Sequence, residues 1–474
     1  MNFSAITLEL CVLGLALGLL AAELLLPEKE TRRSLGYVLF FGLIALFFYA
    51  FGLYHLDADA HFYEGLFVLD NYALFFKQLC ILGVAWTALF SLDYVEALPR
   101  YRGEFYPLLA FALLGMLLLA SANDFLTLFV GLELMTISFY ILVGYKLGDA
   151  LSSEAGVKYL MIGSASTAVL LYGISLLYGA TGALSFAEIH AAGALTSAVG
   201  IAGIALTLAG FFFKLSIVPF HMWSPDVYQG APTPVTGLLA MGSKAAALAA
   251  FMRVLFTALP DANGYWLPLV ALLAAVSMAA GNLMALGQQN VKRLLAYSSI
   301  AQAGYMLVGV AAADAAGVKS VLFYALLYAF ANIGAFAVLT AVDRQTGGTG
   351  LSEMAGLARR APLLAAVMTV SLLSMAGIPP TAGFAGKLYV FSAAVDQGYL
   401  WLAFAGFILS MLSVYYYLQV VKAMYMTEGE DAPLPFSGAT RATVLISAAA
   451  TLLIGICPDW IAALTNFAAY TFFQ

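Results

Sequence analysis

Glu133, Lys214, His221, Lys244 and Lys387 all stand deep inside apolar stretches, in a chain of 474 residues of which only 10% are charged. Lys214 follows thirteen uncharged residues and precedes Pro219 by five, while Lys244 lies ten residues into the helix expected to open at Pro234. An ammonium at the centre of a spanning helix costs roughly 2.5 to 3.5 kcal/mol, so one that is kept lines a pathway or meets a partner. Glu133 comes nine residues after Asp124, which is about 14 Å along a helix and close to the middle of a roughly 30 Å apolar layer. A lysine and a carboxylate about 4 Å apart, at an effective dielectric of about 20, attract by about 4 kcal/mol. Making and breaking such a pair loads and unloads a proton. His221, two turns beyond Lys214, adds an imidazole whose ordinary titration falls near neutrality. Pro219 between them removes a backbone donor and frees a carbonyl. The chemistry these residue types support is proton relay in the middle of a membrane.

A plain structural reading competes at each position. Glu133 can be a protonated carboxyl bonded to a neighbouring helix, and His221 a lone hydrogen-bonder. Lys158 is four residues from Glu154 and can reach the interface by snorkelling. Lys77 and Lys319 are read the same way and kept out of the relay set. For Lys214, Lys244 and Lys387 an idle buried cation is the weaker reading. Lys387, four residues past Gly383, is the counterpart of Lys214. His55, His61 and His190 fall in polar connecting segments.

These side chains need helices to hold them. The hydrophobic fraction is 63%, and a charged share of about 25% would be usual in a soluble domain. Apolar runs long enough to cross a bilayer fall at 4–26, 35–54, 67–91, 105–121, 124–146, 155–179, 198–222, 234–258, 265–286, 293–313, 319–342, 362–396, 399–426 and 441–465. The chain is thus expected to be an all-α polytopic integral membrane protein of about fourteen transmembrane helices. The run 362–396 is too long for one straight crossing and contains GIPPTAGFAGK, which predicts a broken helix; Pro219 predicts a similar break in the seventh. The first run has no basic residue before it, so it reads as a retained helix and not a signal peptide.

Basic residues set the expected orientation. With both termini outside, the odd-numbered loops hold thirteen of the twenty Lys and Arg, among them Lys29, Arg100, Arg102, Lys292, Arg293 and Arg441. Tyr140-Ile-Leu-Val-Gly144 recurs as Tyr305-Met-Leu-Val-Gly309, and Gly156-Val-Lys158 as Gly317-Val-Lys319. The offset is five helices, an odd number, so the second copy must be inverted. Two inverted five-helix repeats, each containing a broken helix, point to an ion site near the midplane. The expected divisions are 1–104 for helices 1–3, 105–262 for the first repeat (helices 4–8), 263–428 for the inverted second (helices 9–13), and 429–474 for helix 14. Cys11, Cys80 and Cys457 are scattered without metal or redox spacing, and no nucleotide loop, flavin motif or metal cluster is visible.

VGLELMTISFYILVGY (130–145), KLSIVPFHMWSPDVYQGAPTPVTG (214–237), NVKRLLAYSSIAQAGYMLVG (290–309) and GIPPTAGFAGKLYVF (377–391) resemble the N subunits of the proton-pumping NADH:quinone oxidoreductase, respiratory complex I. The wider antiporter-like family includes its L and M subunits and the Mrp-type cation/proton antiporters. WSPDVYQGAPTP resembles the N-type loop, and Lys387 departs from the glutamate of an M subunit. The resemblance implies that Glu133 and Lys214 form the pair of a first half-channel, that Lys244 is a central relay and that Lys387 serves the exit. It also draws Lys158 and His221 into the path. It further implies a non-catalytic, proton-translocating subunit of a translocase, with NAD, FMN, iron–sulfur clusters and quinone held by partner subunits and no cofactor in this chain. M-, K-, J- and L-type subunits and the lipid bilayer would be its neighbours, with no nucleic acid. A bacterial inner membrane with both termini periplasmic is the implied location. A subunit of an Mrp-type sodium/proton antiporter, or of a related membrane-bound dehydrogenase or hydrogenase, would use the same residues, and a passive structural subunit would tolerate their loss.

Overall fold

The computed structural model describes residues 3–25, 32–54, 61–63, 65–98, 103–429 and 432–472. Lys29, His55, Arg100 and Arg102 lie outside the described residues. A hydrocarbon layer offers no water to backbone N–H and C=O groups, so apolar runs of this length close their hydrogen bonds internally as helices. The chain passes through α1 (Thr7–Leu25), α2 (Arg32–Phe51), α3 (Asn71–Glu96), α4 (Phe105–Ser121), α5 (Phe125–Val143), α6 (Ala150–Thr181) and the short α7 (Phe186–Ala192). It continues through α8 (Ala198–Leu215), α9 (Trp223–Gly230), α10 (Thr233–Leu238), α11 (Lys244–Arg253), α12 (Asn263–Ala285), α13 (Val291–Ala312) and α14 (Ala315–Thr346). The last are α15 (Leu357–Arg360), α16 (Pro362–Ala376), α17 (Ala382–Asp396), α18 (Leu400–Met426), α19 (Gly438–Ile456) and α20 (Asp459–Ala469). Many begin at a short polar residue: the side chains of Asp70, Asp124, Asp149, Asn290 and Asp314 accept from first-turn N–H groups that have no partner within the helix.

Among the described residues twelve helices are long and apolar enough to cross a membrane, α10 and α11 counting as one with the turns around them, while α4 and α16 are apolar but shorter. The chain is a multi-pass membrane protein. The expected last span, 441–465, is corrected: α19 ends at Ile456, and α20 starts after Pro458, whose ring cannot continue a helix. Helices α3, α13, α14 and the stretch 233–258 are surrounded by protein on almost every side, whereas α1, α2, α6, α18 and α19 leave most of their surface outward. Close approach relies on small residues: a Cβ added to Gly115 of α4 would lie 2.3 Å from the backbone nitrogen of Met135 on α5. Helix α11 is bracketed by two π-helical turns, Leu239–Ser243 and Val254–Ala258, a wider winding that is frequent at functional positions. Lys244 sits at the joint of the first.

Candidate functional site

Helix α16 stops at Ala376 and the chain turns through Gly377, at φ +85°, before α17 begins. In an unbroken helix the carbonyls of Met375 and Ala376 would accept from the N–H groups four residues on. Those residues are Pro379 and Pro380, which have none. Lys387 takes both carbonyls: its Nζ donates to Met375 O at 3.0 Å, to Ala376 O at 2.8 Å and to Ser410 Oγ of α18 at 2.6 Å. All three ammonium hydrogens are used, and Nζ stands 4.7 Å from the centre of the Tyr305 ring. Gly383 is required where the chain re-enters the helix, because a Cβ there would be 1.7 Å from the carbonyl oxygen of Ser374.

The first break is built differently. Helix α8 stops at Leu215, Ser216 takes a left-handed φ of +58°, and α9 starts at Trp223. Pro219 deprives Leu215 of its helical donor, yet Lys214 does not turn into the break. Its Nζ donates to Thr136 Oγ1 of α5 at 2.7 Å. Glu133, one turn back on α5 and half-buried, accepts at Oε1 from Thr167 Oγ1 of α6 at 2.9 Å. Carboxylate and ammonium are in electrostatic reach of each other, each held by a threonine and not by the other. His221 is buried, with Nδ1 lacking a hydrogen-bond partner.

Between the breaks, Lys244 Nζ donates to the carbonyl and the hydroxyl of Ser299 on α13, at 3.0 and 2.9 Å. Next to Ser299, Ser298 Oγ lies 2.5 Å from Tyr417 Oη of α18. Gln302 Nε2 donates to that phenol at 3.3 Å and to Met375 O at 3.0 Å, and its Oε1 accepts from Tyr324 Oη. Since Met375 O also accepts from Lys387, hydrogen-bonded groups run without interruption from Ser298 to Lys387.

The NADH:quinone oxidoreductase/Mrp antiporter transmembrane family model matches residues 122–413, a stretch that contains Lys214, Lys244 and Lys387. NADH-quinone oxidoreductase subunit N of Heliobacterium modesticaldum is 51% identical over 475 residues, covering 100% of each chain. The chain belongs to the NADH:quinone oxidoreductase/Mrp antiporter family, on its subunit N branch. Among solved structures, a chain of respiratory complex I from Thermus thermophilus with bound aureothin is 34% identical, with a TM-score of 0.81 over 96% of this chain and 98% of that one. A chain of the Mrp complex from Dietzia sp. DQ12-45-1b, 23% identical, shares the fold at a TM-score of 0.88 over 100% of this chain and 98% of that one.

Of the six residues singled out from the sequence of this subunit N relative, Glu133, Lys214, His221, Lys244 and Lys387 lie in the buried belt or at its edge. Lys158 does not: its side chain is 41% exposed and bonds Glu154 at 2.7 Å and Asp226 at 2.8 Å. This is an exposed, ion-paired position of the kind its spacing from Glu154 allowed. Arg293 reaches the same Asp226 at 2.6 Å. Burial acts to raise the titration of Asp226, but hydrogen bonds from Lys158 and Arg293 outweigh it and hold the carboxyl below its usual range. Two readings are corrected. Lys77 does not snorkel; it is fully buried, with Glu9 Oε1 of α1 at 2.7 Å, a partner remote in sequence. Lys292 is no loop residue, but a buried one on α13 that donates to Ala231 O at 2.8 Å. A second buried pair, Arg253 with Asp70 at 2.8 and 3.0 Å, was not foreseen. Thr136, Ser299, Gln302, Tyr417 and Ser410 were missed as well. A signal existed for two of them: AYSSIAQAGY (296–305) places polar groups three to four residues apart in an otherwise apolar helix, which is one face of α13.

Proposed function

We propose that this chain is the proton-translocating, non-catalytic membrane subunit of a bacterial respiratory NADH:quinone oxidoreductase, driven by redox chemistry in other subunits. The observation that carries the reading is that Lys214, Lys244 and Lys387, three of the buried lysines, have ammonium groups held by neutral oxygens and not by carboxylates. A buried cation so placed can give up its proton without leaving a carboxylate unpaired. Glu133 and Lys214 load the first half, with His221 in the break that follows Lys214; Lys244 relays and Lys387 releases. Lys158 belongs to the mouth of the path, where it latches α6 to α9 through Asp226. NAD, FMN, iron–sulfur clusters and quinone belong to partner subunits, with M-, K-, J- and L-type chains as membrane neighbours. The chain crosses an inner membrane fourteen times, α16 and α17 together making one crossing, with both termini on the periplasmic side.

Inverted repeats at 105–262 and 263–428 are part of this proposal. Their support is a matched pair of contacts: Gly144 packs on Gly156 and Gly309 on Gly317, the glycines of the recurring sequence motifs. Asp124 opening α5 also bridges to Ser185, as Asn290 opening α13 bridges to Gly350.

Substitution of Lys244 tests the function. Arginine keeps the charge but almost never releases its proton, whereas alanine removes both. Proton uptake by vesicles during electron transfer should fall in both Lys244→Arg and Lys244→Ala enzymes with assembly intact on native gels. Full pumping by Lys244→Arg would reduce Lys244 to a fixed charge.

A further inference from the structure

Ser298 to Lys387 is joined by direct hydrogen bonds, but among the described residues no such chain joins Lys214 to Lys244. Along the chain between them come the turn after α8, the short helix α9, α10 and the first π-helical turn. His221, Ser224 and Tyr228 follow one another at spacings of three and four, which puts them on one face of a continuous turn; the N–H of Ser224 already donates to His221 O at 3.0 Å. All three are buried, and His221 Nδ1, Ser224 Oγ and Tyr228 Oη lack hydrogen-bond partners. A buried polar group left unpaired is costly, so three in a row on one face call for a state in which they are paired. Tyr228 Oη is within interaction range of the hydroxyls of Ser224 and Ser299, without a hydrogen bond to either. Ser299 is the residue that holds Lys244. Tyr328 of α14 approaches the same hydroxyl. The titratable groups around Tyr228 are Tyr159 of α6, Tyr328 and, through Ser299, Lys244.

We infer that Tyr228, with Ser224, is the hydroxyl bridge that carries protons from the first break to Lys244. The phenol accepts a proton from the Ser224 side and donates its own to Ser299, whose hydroxyl passes its own proton to a deprotonated Lys244 in the same event, so both hydroxyls stay neutral and the only charge formed is the ammonium of Lys244. A water hydrogen-bonded to Ser224, Tyr228 and Ser299 would have the number of polar partners a buried water needs.

The bridge rests on the proton-moving function proposed above, and the experiment separates the two. In the assembled enzyme, Tyr228→Phe deletes one oxygen and keeps the packing against Trp223. Proton uptake should fall by roughly tenfold or more, within the range that a positioned proton carrier contributes, while the complex assembles normally; Ser224→Ala should fall less. Placing 3,5-difluorotyrosine, a more acidic phenol, at position 228 should restore uptake and shift its pH profile, which a purely structural tyrosine would not do. Wild-type pumping by Tyr228→Phe beside a dead Lys244→Ala would overturn the bridge alone. Wild-type pumping by both would overturn the function itself.

Discussion

The two helix breaks solve one problem in opposite ways. At the second, consecutive prolines strip the donors from Met375 and Ala376, and the lysine one turn into the next helix supplies them, so Lys387 is held by main-chain oxygens that cannot rotate away. At the first, a single proline frees one carbonyl and Lys214 ignores it for a threonine hydroxyl on another helix. A carboxylate, Glu133, waits one turn back on the same helix as that threonine. The comparison teaches that a lysine in a backbone cage is a fixed station, whereas a lysine on a single side-chain hydroxyl can change partner. From Ser298 to Lys387 the contacts are direct, whereas the described residues give no such run between Lys214 and Lys244, which puts the step that can be gated between those two lysines.

Replacing each lysine by methionine breaks the comparison most sharply. Both changes relieve similar desolvation and both should abolish pumping. Lys387→Met removes three hydrogen bonds at once, although Gln302 Nε2 still donates to Met375 O and Ser410 Oγ to Ala376 O. Lys214→Met strands little, because Thr136 Oγ1 donates to Leu132 O at 2.6 Å in any case. The Lys387→Met complex should therefore dissociate at a clearly lower temperature on native gels; equal losses would dissolve the distinction between cage and hydroxyl.

Smaller changes sharpen it. Thr167→Val removes the hydroxyl that holds Glu133, letting the carboxylate close on Lys214 and retain the proton, so vesicle uptake should drop by about fivefold for about 1 kcal/mol of altered pairing. Ser410→Ala leaves Lys387 both carbonyls and should change uptake by less than about twofold. A larger effect of Ser410→Ala than of Thr167→Val would reverse the assignment of which lysine is mobile.

The weakest effect belongs to Asp226 at the mouth. A carboxyl held below its ordinary titration contributes stability that is present above the unfolded-chain value, about 3.9, and fades as the pH falls through the lower folded value. Asp226→Asn should thus cost about 0.5 kcal/mol at neutral pH, the scale of a partly exposed ion pair. The cost should vanish in strong acid. Thermal unfolding of the two proteins across pH measures it, and a difference that grew on acidification would have the wrong sign.

Much of this was legible before any fold was known. Apolar runs located the spans, since nothing but a helix satisfies the backbone in hydrocarbon. Pro219 and the Pro379-Pro380 pair located the breaks because a missing N–H is a property of the residue itself. The deep lysines were conspicuous because a cation inside an apolar run is costly. Lys77 was misjudged for a related reason: its depth was readable, but Glu9 on another helix was not. Lys158 shows the converse, since its alternative partner Glu154 lay on the same helix and was visible in the spacing.

The sequence by itself thus determined where the helices run, where they break and which residues carry charge at mid-depth, because each is a matter of local composition and backbone chemistry. Only the tertiary structure decided the partners: Thr136 for Lys214, Ser299 for Lys244, two main-chain carbonyls and Ser410 for Lys387. The physical reason is that these helices are apolar on nearly every face. Without a polar face to turn outward, no periodicity says which way a side chain points or which distant helix it meets, and for a buried ammonium that meeting is what decides its chemistry.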